Sequence, residues 1–169
     1  TQGSHPGRSI ALPGGKPSLY LELRTGLGIA SCITSMTIRI VIVDDHGIIR
    51  SGLKTLLAND PDMEFVGEAA TGETALEVIR ETQPDIVTLD LGLPDRCGLE
   101  VIPLIQAASP QTRVLIFTGT DDPTVARKAL MAGGAAYVVK AASFREVGTA
   151  IRNLREGRSM ILLTEKPNV

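Results

Sequence analysis

Between residues 36 and 158, short runs of strand-forming apolar residues alternate with stretches of helical periodicity. The runs are Ile38–Val43, Glu64–Ala69, Ile86–Leu89, Arg113–Phe117 and Ala136–Val139. Mostly continuous apolar runs are typical of parallel strands buried on both faces, and helices between them supply the crossovers. Right-handed crossovers then leave few arrangements. We therefore predict an α/β fold with a doubly wound, five-stranded parallel sheet of order 2-1-3-4-5.

The helical stretches carry their own start signals. Thr71 can cap the second helix, and Asp122-Pro123 opens the fourth helix with an N-cap followed by proline. Ser143 and Glu146 form a capping box for the fifth helix. Pro103 lies inside the third helical pattern, so we expect either a kink or a helix that begins near it. The complete pattern is a flavodoxin-like (βα)5 chain.

Polar side chains follow four of the predicted strands. Asp44-Asp45 follows the first strand, Asp90 the third, Thr118 the fourth and Lys140 the fifth. The carboxyl ends of parallel strands lie at one edge, where ligands bind. Clustered carboxylates stay ionised only if a cation offsets them, and an all-oxygen acidic site favours Mg²⁺. An aspartate nucleophile, Mg²⁺, a lysine and a hydroxyl are the parts that phosphoryl transfer needs.

Composition excludes several functional classes. The chain has 169 residues and a net charge of −2, which argues against a general nucleic-acid or anionic-membrane surface. No apolar run reaches the roughly 18 residues that indicate a membrane span. Cys32 and Cys97 have neither metal-ligand nor disulfide-framework spacing, so we expect reduced thiols. We therefore predict a cytoplasmic protein that itself binds neither nucleic acid nor membrane.

Together these residues resemble the receiver domain of bacterial two-component response regulators, over roughly Met36 to Arg158. The segment Asp44–Leu53 is similar to the NarL/FixJ/LuxR subfamily, whose output is a helix-turn-helix DNA-binding domain. The motifs that carry the resemblance are Asp44-Asp45 after Ile-Val-Ile-Val, Asp90 with Leu-Gly-Leu-Pro-Asp and Gly98, Thr118, and Tyr137 with Lys140.

The resemblance implies a role for each acidic and basic residue. Asp90 would be the phosphoacceptor, which takes a phosphoryl group from the phosphohistidine of a sensor histidine kinase or phosphotransfer protein. Asp45 would ligate Mg²⁺ directly, together with Asp90 and the backbone carbonyl of Gly92, and Asp44 would act through a metal-bound water. Lys140 would contact the phosphoryl group or Asp90.

The resemblance also implies a conformational switch. Thr118 would turn inward to bond the phosphoryl group, which lets Tyr137 change rotamer and alters a surface where such domains dimerise or meet partners. The chain would then be a regulatory phosphoacceptor, with self-catalysed phosphotransfer and dephosphorylation as its only chemistry. Two positions depart from the family pattern, namely Ala141 where proline is frequent and Gly119 where alanine is frequent.

The two ends of the chain differ from the central part. Residues 1–35 are rich in glycine and proline, and Gly3-Ser4-His5 resembles an expression-vector scar, so we expect a poorly ordered or vector-derived extension. We expect residues 36–158 to form the receiver domain and residues 159–169 a tail or linker. Because no helix-turn-helix follows before Val169, we expect a fragment of a longer regulator.

Three alternatives remain open. A stand-alone receiver would act through protein–protein interaction. A Mg²⁺-dependent phosphohydrolase of the haloacid dehalogenase kind would carry its nucleophile at Asp44, which fits Asp44-Asp45-His46 poorly. A flavodoxin-like binding module would need a phosphate-cradling loop after the first strand, where the acidic pair would repel phosphate. We expect His46 to be a surface residue that opens the first helix.

Overall fold

The computed structural model describes residues 37–163, which form a parallel sheet flanked by helices. The predicted extension, residues 1–35, and residues 164–169 of the predicted tail lie outside the described residues. None of the described helices is long and apolar enough to cross a membrane. The elements are β1 (Ile38–Val43), α1 (Gly47–Ala58), β2 (Met63–Ala69), α2 (Gly72–Thr82), β3 (Ile86–Leu89), α3 (Gly98–Ala108), β4 (Arg113–Thr118), α4 (Pro123–Met131), β5 (Ala136–Val139), α5 (Phe144–Arg155) and β6 (Met160–Leu162).

The strand order is β2-β1-β3-β4-β5-β6, and every pair of neighbours is parallel. The predicted order of the first five strands, and with it the doubly wound fold class, is confirmed. The sheet also has a sixth strand, because residues 160–162 of the expected tail pair with β5. β1 and β3 are direct neighbours, with Val43 beside Leu89, so the residues that follow these two strands leave the sheet together.

Two apolar clusters cover the two faces of the sheet. Alternate residues of β1 divide between them, since Val41 and Val43 join the cluster of α2, α3 and α4, while Ile40 and Ile42 join that of α1 and α5. All four side chains are almost completely buried. The continuous apolar runs of the sequence therefore reflect strands that are buried on both faces, as predicted.

The predicted helix signals can be compared with the helix ends. Thr71 Oγ1 accepts a hydrogen bond from the backbone N–H of Thr74 at 3.2 Å, and Asp122 Oδ1 accepts one from Thr124 at 2.7 Å. The Glu146 carboxylate accepts a hydrogen bond from the backbone N–H of Ser143 at 2.6 Å. These capping predictions are confirmed.

The third helix begins earlier than one of the two predicted alternatives. α3 starts at Gly98 and continues through Pro103, so a start near Pro103 is wrong. Pro103 lies on the exposed side of the helix, where water can bond the carbonyl that proline leaves without its usual partner. At Gly98, an added Cβ would lie 2.6 Å from the Asp90 carbonyl oxygen. The start of α3 therefore packs directly on the segment that follows β3.

The buried hydroxyl of Thr88 allows the energetic cost of an unpaired polar group to be tested. Among residues 37–163, its hydroxyl is the one buried side-chain polar atom without a hydrogen-bond partner. Replacement by valine removes this desolvated group and keeps the shape, so we expect Thr88→Val to raise the free energy of unfolding by about 1 kcal/mol in urea denaturation. Thr112→Val is the matched control, because buried Thr112 Oγ1 donates to the Pro84 carbonyl at 2.6 Å. That variant should lose stability, and equal losses in both variants would contradict the analysis.

Candidate functional site

The polar residues that follow four strands meet at one edge of the sheet, as predicted. Asp44 directly follows β1, Asp90 follows β3, Thr118 ends β4 and Lys140 follows β5. The strand ends are tied by backbone hydrogen bonds, with the Asp90 N–H donating to the Val43 carbonyl at 2.9 Å and the Lys140 N–H donating to the Thr118 carbonyl at 2.7 Å. The edge therefore presents two acidic ends beside a hydroxyl and an amine.

Lys140 joins the two buried carboxylates of this edge. Its Nζ lies 2.7 Å from Asp44 Oδ2 and 2.5 Å from Asp90 Oδ2. Asp44 is 2% exposed and Asp90 4% exposed, so both would be unfavourable as isolated charges. Burial lowers the pKa of Lys140, but the bonds to Asp44 and Asp90 outweigh burial, and the net pKa is raised. The lysine therefore stays protonated and offsets part of the acidic charge.

His46 lies closer to the acidic pair than its sequence position indicates. As predicted, it precedes α1 as its N-cap residue, and its side chain is 60% exposed. Its Nδ1, however, lies 2.7 Å from Asp45 Oδ1 and 3.1 Å from Asp44 Oδ1. The backbone N–H of His46 also donates to Asp44 Oδ1, at 2.9 Å, so both the ring and the main chain of His46 contact the acidic pair.

The acidic residues are placed as a divalent-cation site requires. One donor atom from each of Asp44, Asp45, His46 and Asp90 lies within 4.8 Å of the others. Gly92 is next to this group, since its backbone N–H donates to Asp90 Oδ1 at 3.2 Å. Carboxylate oxygens with room for water are the ligands that Mg²⁺ prefers. The three aspartates therefore fit a Mg²⁺ ion, and a cleft of about 420 Å³ opens beside Asp90.

Thr118 and Tyr137 are linked through the loop that follows β4. Thr118 is 2% exposed, and its Oγ1 accepts a long hydrogen bond of 3.4 Å from the Thr120 N–H. The hydroxyl of Tyr137 donates to the Thr120 carbonyl at 2.8 Å. Burial, and then the charges of Asp121 and Asp122, raise the pKa of Tyr137 to about 12. The Tyr137 ring is completely buried in this structure.

The two departures from the family pattern have distinct local settings. After Lys140 and Ala141, the Ala142 N–H donates to the Val139 carbonyl at 2.9 Å. Two residues further, the ring of Phe144 packs on α1, where a Cβ added at Gly52 would lie 2.4 Å from the ring. This packing ties the lysine loop to α1. At Gly119, an added Cβ would meet no atom within 4 Å, so the glycine leaves open space in the β4–α4 loop.

Asp95 is a residue of the site region that the sequence analysis missed as an anchor. Its carboxylate accepts hydrogen bonds from the backbone N–H groups of Gly72 at 2.8 Å and Glu73 at 3.0 Å. These bonds, that of Gly72 foremost, lower the pKa of Asp95. Asp95 therefore fastens the loop that follows Asp90 to the start of α2. In the sequence, the Leu-Pro-Asp motif indicated only that Asp95 lies in a loop. Its hydrogen-bond partners could not be predicted because they are more than 20 residues away.

Comparison with known proteins gives a consistent result. The sequence model of a family described as the response regulator receiver domain matches residues 40–152. Over 102 residues, the chain is 43% identical to the uncharacterized transcriptional regulatory protein YhcZ of Bacillus subtilis, covering 60% of this chain and 48% of that protein. It is 34% identical to the response regulator protein VraR of Staphylococcus aureus over 125 residues, covering 74% of this chain and 60% of VraR. The chain thus spans about half to three fifths of these relatives.

Solved structures give the same result for the fold. A LuxR-family two-component response regulator from Aurantimonas sp. SI85-9A1 is 40% identical with a TM-score of 0.70, covering 73% of this chain and 89% of that one. The signal receiver domain of the putative response regulator NarL from Mycobacterium tuberculosis is 32% identical with a TM-score of 0.69, covering 72% and 98%. At 40% and 32% sequence identity, both structures resemble this chain in sequence as well as in fold.

The crowded carboxylates predict a stability change that depends on Mg²⁺. Without Mg²⁺, Asp90→Asn removes one of three neighbouring negative charges while Lys140 keeps Asp44, so we expect the free energy of unfolding to rise by about 1 kcal/mol. At Mg²⁺ concentrations of about 100 times Kd, the wild type gains about 2.7 kcal/mol, which reverses the order. Urea denaturation with EDTA and with Mg²⁺ measures both. Asp95→Asn, which weakens the cap on α2, should lower stability in both conditions, and an Asp90→Asn effect that ignores Mg²⁺ would refute the analysis.

The buried phenol of Tyr137 predicts an alkaline transition. Its folded pKa of about 12 exceeds the ordinary value of 10.0, so the folded state keeps a proton that the unfolded state releases. Stability should therefore fall as pH rises above 10 and through 12. Phenolate absorbance during an alkaline titration reports the midpoint, and Tyr137→Phe, which leaves Tyr20 to titrate, isolates the Tyr137 signal. A Tyr137 midpoint near 10 would mean that the ring is not buried in solution.

Proposed function

The chain belongs to the family of response regulator receiver domains, and on that premise we propose that Asp90 is its phosphoacceptor. Receiver domains of LuxR-family regulators relay a phosphoryl signal to an output domain, and histidine kinases are their partners. In this chain, the observation that carries the assignment is the contact of Lys140 Nζ with Asp90 Oδ2 at 2.5 Å, beside Asp44 and Asp45. An acceptor carboxylate in this setting has a cation ready for the incoming phosphoryl oxygens.

We assign the metal ligands from the same set of residues. Asp45 and Asp90, with the backbone carbonyl of Gly92, would hold Mg²⁺ directly, and Asp44 would act through a metal-bound water. When bound, the ion neutralises charge on the transferring phosphoryl group. Within the acidic pair, the Asp45 side chain is 34% exposed and that of Asp44 only 2% exposed, so Asp45 suits the direct role and Asp44 the indirect one.

The proposed transfer is a direct displacement at phosphorus. A carboxylate oxygen of Asp90 forms the new bond to phosphorus as the bond between phosphorus and the imidazole nitrogen of the donor breaks, and the nitrogen keeps the electron pair. As negative charge moves from the Asp90 carboxylate to the phosphoryl oxygens, the Lys140 ammonium group would stabilise it. In dephosphorylation, water attacks phosphorus, the bond between phosphorus and the Asp90 oxygen breaks, and inorganic phosphate leaves the free carboxylate. We propose that the chain's chemistry is the phosphorylation and dephosphorylation of its own Asp90.

We propose Thr118 and Tyr137 as the switch residues. The hydrogen bond that the Thr118 hydroxyl accepts from the Thr120 N–H is long, so little is lost when the hydroxyl turns towards a phosphoryl oxygen. Movement of this residue changes the loop whose Thr120 carbonyl holds the Tyr137 hydroxyl. The rearranged surface of α4, β5 and α5 would then meet a partner or a second copy of the chain. This is a two-state equilibrium biased by a local charge.

We also propose how the receiver fits a larger regulator. Residues 36–158 would be the receiver domain, and the signal would pass to a DNA-binding output domain outside this chain. Support comes from the relatives, which include a transcriptional regulatory protein and the response regulator VraR, of which this chain spans 48% and 60%. A similar solved structure is that of a DNA-binding LuxR-family response regulator. A stand-alone receiver is less well supported, because the relatives are longer regulatory proteins. An Asp44-dependent phosphohydrolase is less well supported, because the family match favours Asp90 as the acceptor.

Phosphorylation by a small donor tests the assignment. We expect wild-type protein incubated with Mg²⁺ and acetyl phosphate to gain the mass of one phosphoryl group, measured on the intact chain. Asp90→Asn should gain nothing, whereas Asp95→Asn, the same change in the same loop, should still be phosphorylated. An adduct that persists in Asp90→Asn would move the acceptor elsewhere, and labelling of Asp44 would favour the phosphohydrolase. Wild-type protein that stays unmodified under conditions that load a control receiver would contradict acetyl phosphate-driven loading.

A further inference from the structure

Arg50 connects the acidic end of β1 to a neighbouring strand, and nothing in the proposed reaction uses it. It lies in the first turn of α1 and is 22% exposed. Its Nη1 donates to the backbone carbonyl of Asp44 at 2.8 Å, and its Nε donates to Glu68 Oε2 at 2.9 Å. One planar guanidinium group therefore bridges the Asp44 peptide and the carboxylate of a β2 residue.

The anchor for this guanidinium is a stable anion. Glu68 also accepts a hydrogen bond from Lys54, whose Nζ lies 2.7 Å from Oε1. The bond from Lys54 is the largest cause that lowers the pKa of Glu68, and it acts with Arg50 against a smaller effect of burial. Glu68 thus remains charged at neutral pH, and both of its oxygens are engaged. A forked donor held by an ionised carboxylate loses little freedom when it makes its second bond.

The bridged peptide controls the direction of the metal-binding carboxylates. Asp44 is fixed on one side by its N–H, which donates to the Ala69 carbonyl of β2 at 3.1 Å. Its carbonyl, on the other side, is fixed by Arg50. The first bond holds the Val43–Asp44 peptide and the Arg50 bond holds the Asp44–Asp45 peptide, so the backbone is fixed on both sides of the Asp44 Cα. The plane of the Asp44–Asp45 peptide sets where the Asp45 side chain leaves the backbone. Asp45 is 34% exposed, so packing alone restrains it less than it restrains Asp44.

We propose that Arg50 is a positioning residue for the divalent-cation site: its two-point contact fixes the Asp44–Asp45 peptide so that Asp45 faces Asp90. The inference rests on the proposed function, since it assumes that Mg²⁺ binds between these aspartates. Residues that orient metal ligands from behind typically change metal affinity by about 10- to 100-fold when they are removed. Arg50 would be such a residue, although it touches neither the ion nor the phosphoryl group.

The sign of the effect separates positioning from simple electrostatics. Arg50 is a positive charge near an acidic site, so its removal should strengthen the binding of a cation if charge alone matters. Loss of positioning should instead weaken Mg²⁺ binding. Lys54 offers a matched control, because it is one helical turn further along α1 and contacts the same Glu68, without a contact to Asp44.

The experiment is a Mg²⁺ titration of the full chain, followed by the amide NMR signals of residues such as Gly92. We expect Arg50→Gln to raise the Kd for Mg²⁺ about tenfold, and Lys54→Gln to leave it unchanged or slightly lower. At saturating Mg²⁺, the rate of phosphorylation by acetyl phosphate should match the wild type in both variants. A change in Mg²⁺ requirement without a change in saturated rate is not expected from general structural damage.

Each other outcome bears on the proposal. An unchanged or lower Kd in Arg50→Gln, or an equal rise in Lys54→Gln, would overturn positioning and leave the proposed function intact. If Arg50→Gln does not fold, Arg50→Lys replaces it, since a single ammonium cannot reproduce both bonds, and wild-type affinity in that variant would overturn the two-point contact. A wild-type chain that binds no Mg²⁺ would overturn this inference and the proposed metal site together, and Asp90→Asn serves as the reference without the central ligand.

Discussion

The repulsion between carboxylates at one sheet edge is the constraint around which this site is built. Asp44 and Asp90 follow neighbouring strands, so the topology itself forces them together. The compensating charge comes from β5, and β4 lies between β5 and β3. Adjacent strands are about 4.8 Å apart, so the Lys140 ammonium group must reach past the end of β4 to contact Asp90. The long side chain of Lys140 spans this distance, since its Nζ contacts both Asp90 and Asp44.

The same constraint explains how the fold and the site divide their tasks. The strands are buried on both faces, and their apolar side chains fill two separate clusters, so the sheet does not depend on the polar edge. The edge can therefore hold charges that disfavour one another. Local anchors then limit how far the loops relax, with Asp95 fastened to the start of α2 and Phe144 packed on α1. The apolar clusters on the two faces of the sheet therefore stabilise the fold, and the charged residues of the candidate site lie at the edge.

How well a feature could be predicted from the sequence depends on how far apart in sequence the interacting residues are. Thr71 and Asp122 were identified as caps because their partners are two or three residues away. The strand-end residues were placed because a parallel sheet gathers all its carboxyl ends at one edge. Pairing with β5 makes residues 160–162 a strand, and so short a segment has no period of its own. The contacts of Arg50 with Glu68 and of Asp95 with Gly72 were missed because these partners are 18 and 23 residues away, beyond the range of any local sequence pattern.

A short chain of hydrogen bonds leads from this edge to Tyr137. The Lys140 N–H holds the Thr118 carbonyl, the Thr118 hydroxyl accepts weakly from Thr120, and the Thr120 carbonyl holds Tyr137. Gly119 lies inside this chain, and a Cβ added there would meet no atom within 4 Å. A full change of state from 1:99 to 99:1 needs about 5.5 kcal/mol of differential stabilisation. The long Thr118 bond is the weakest of these links. A phosphoryl oxygen on Asp90 that accepts a hydrogen bond from the Thr118 hydroxyl would therefore act first at this bond. Tyr137 would respond because, within this chain of bonds, its hydroxyl is held by the Thr120 carbonyl of the same loop.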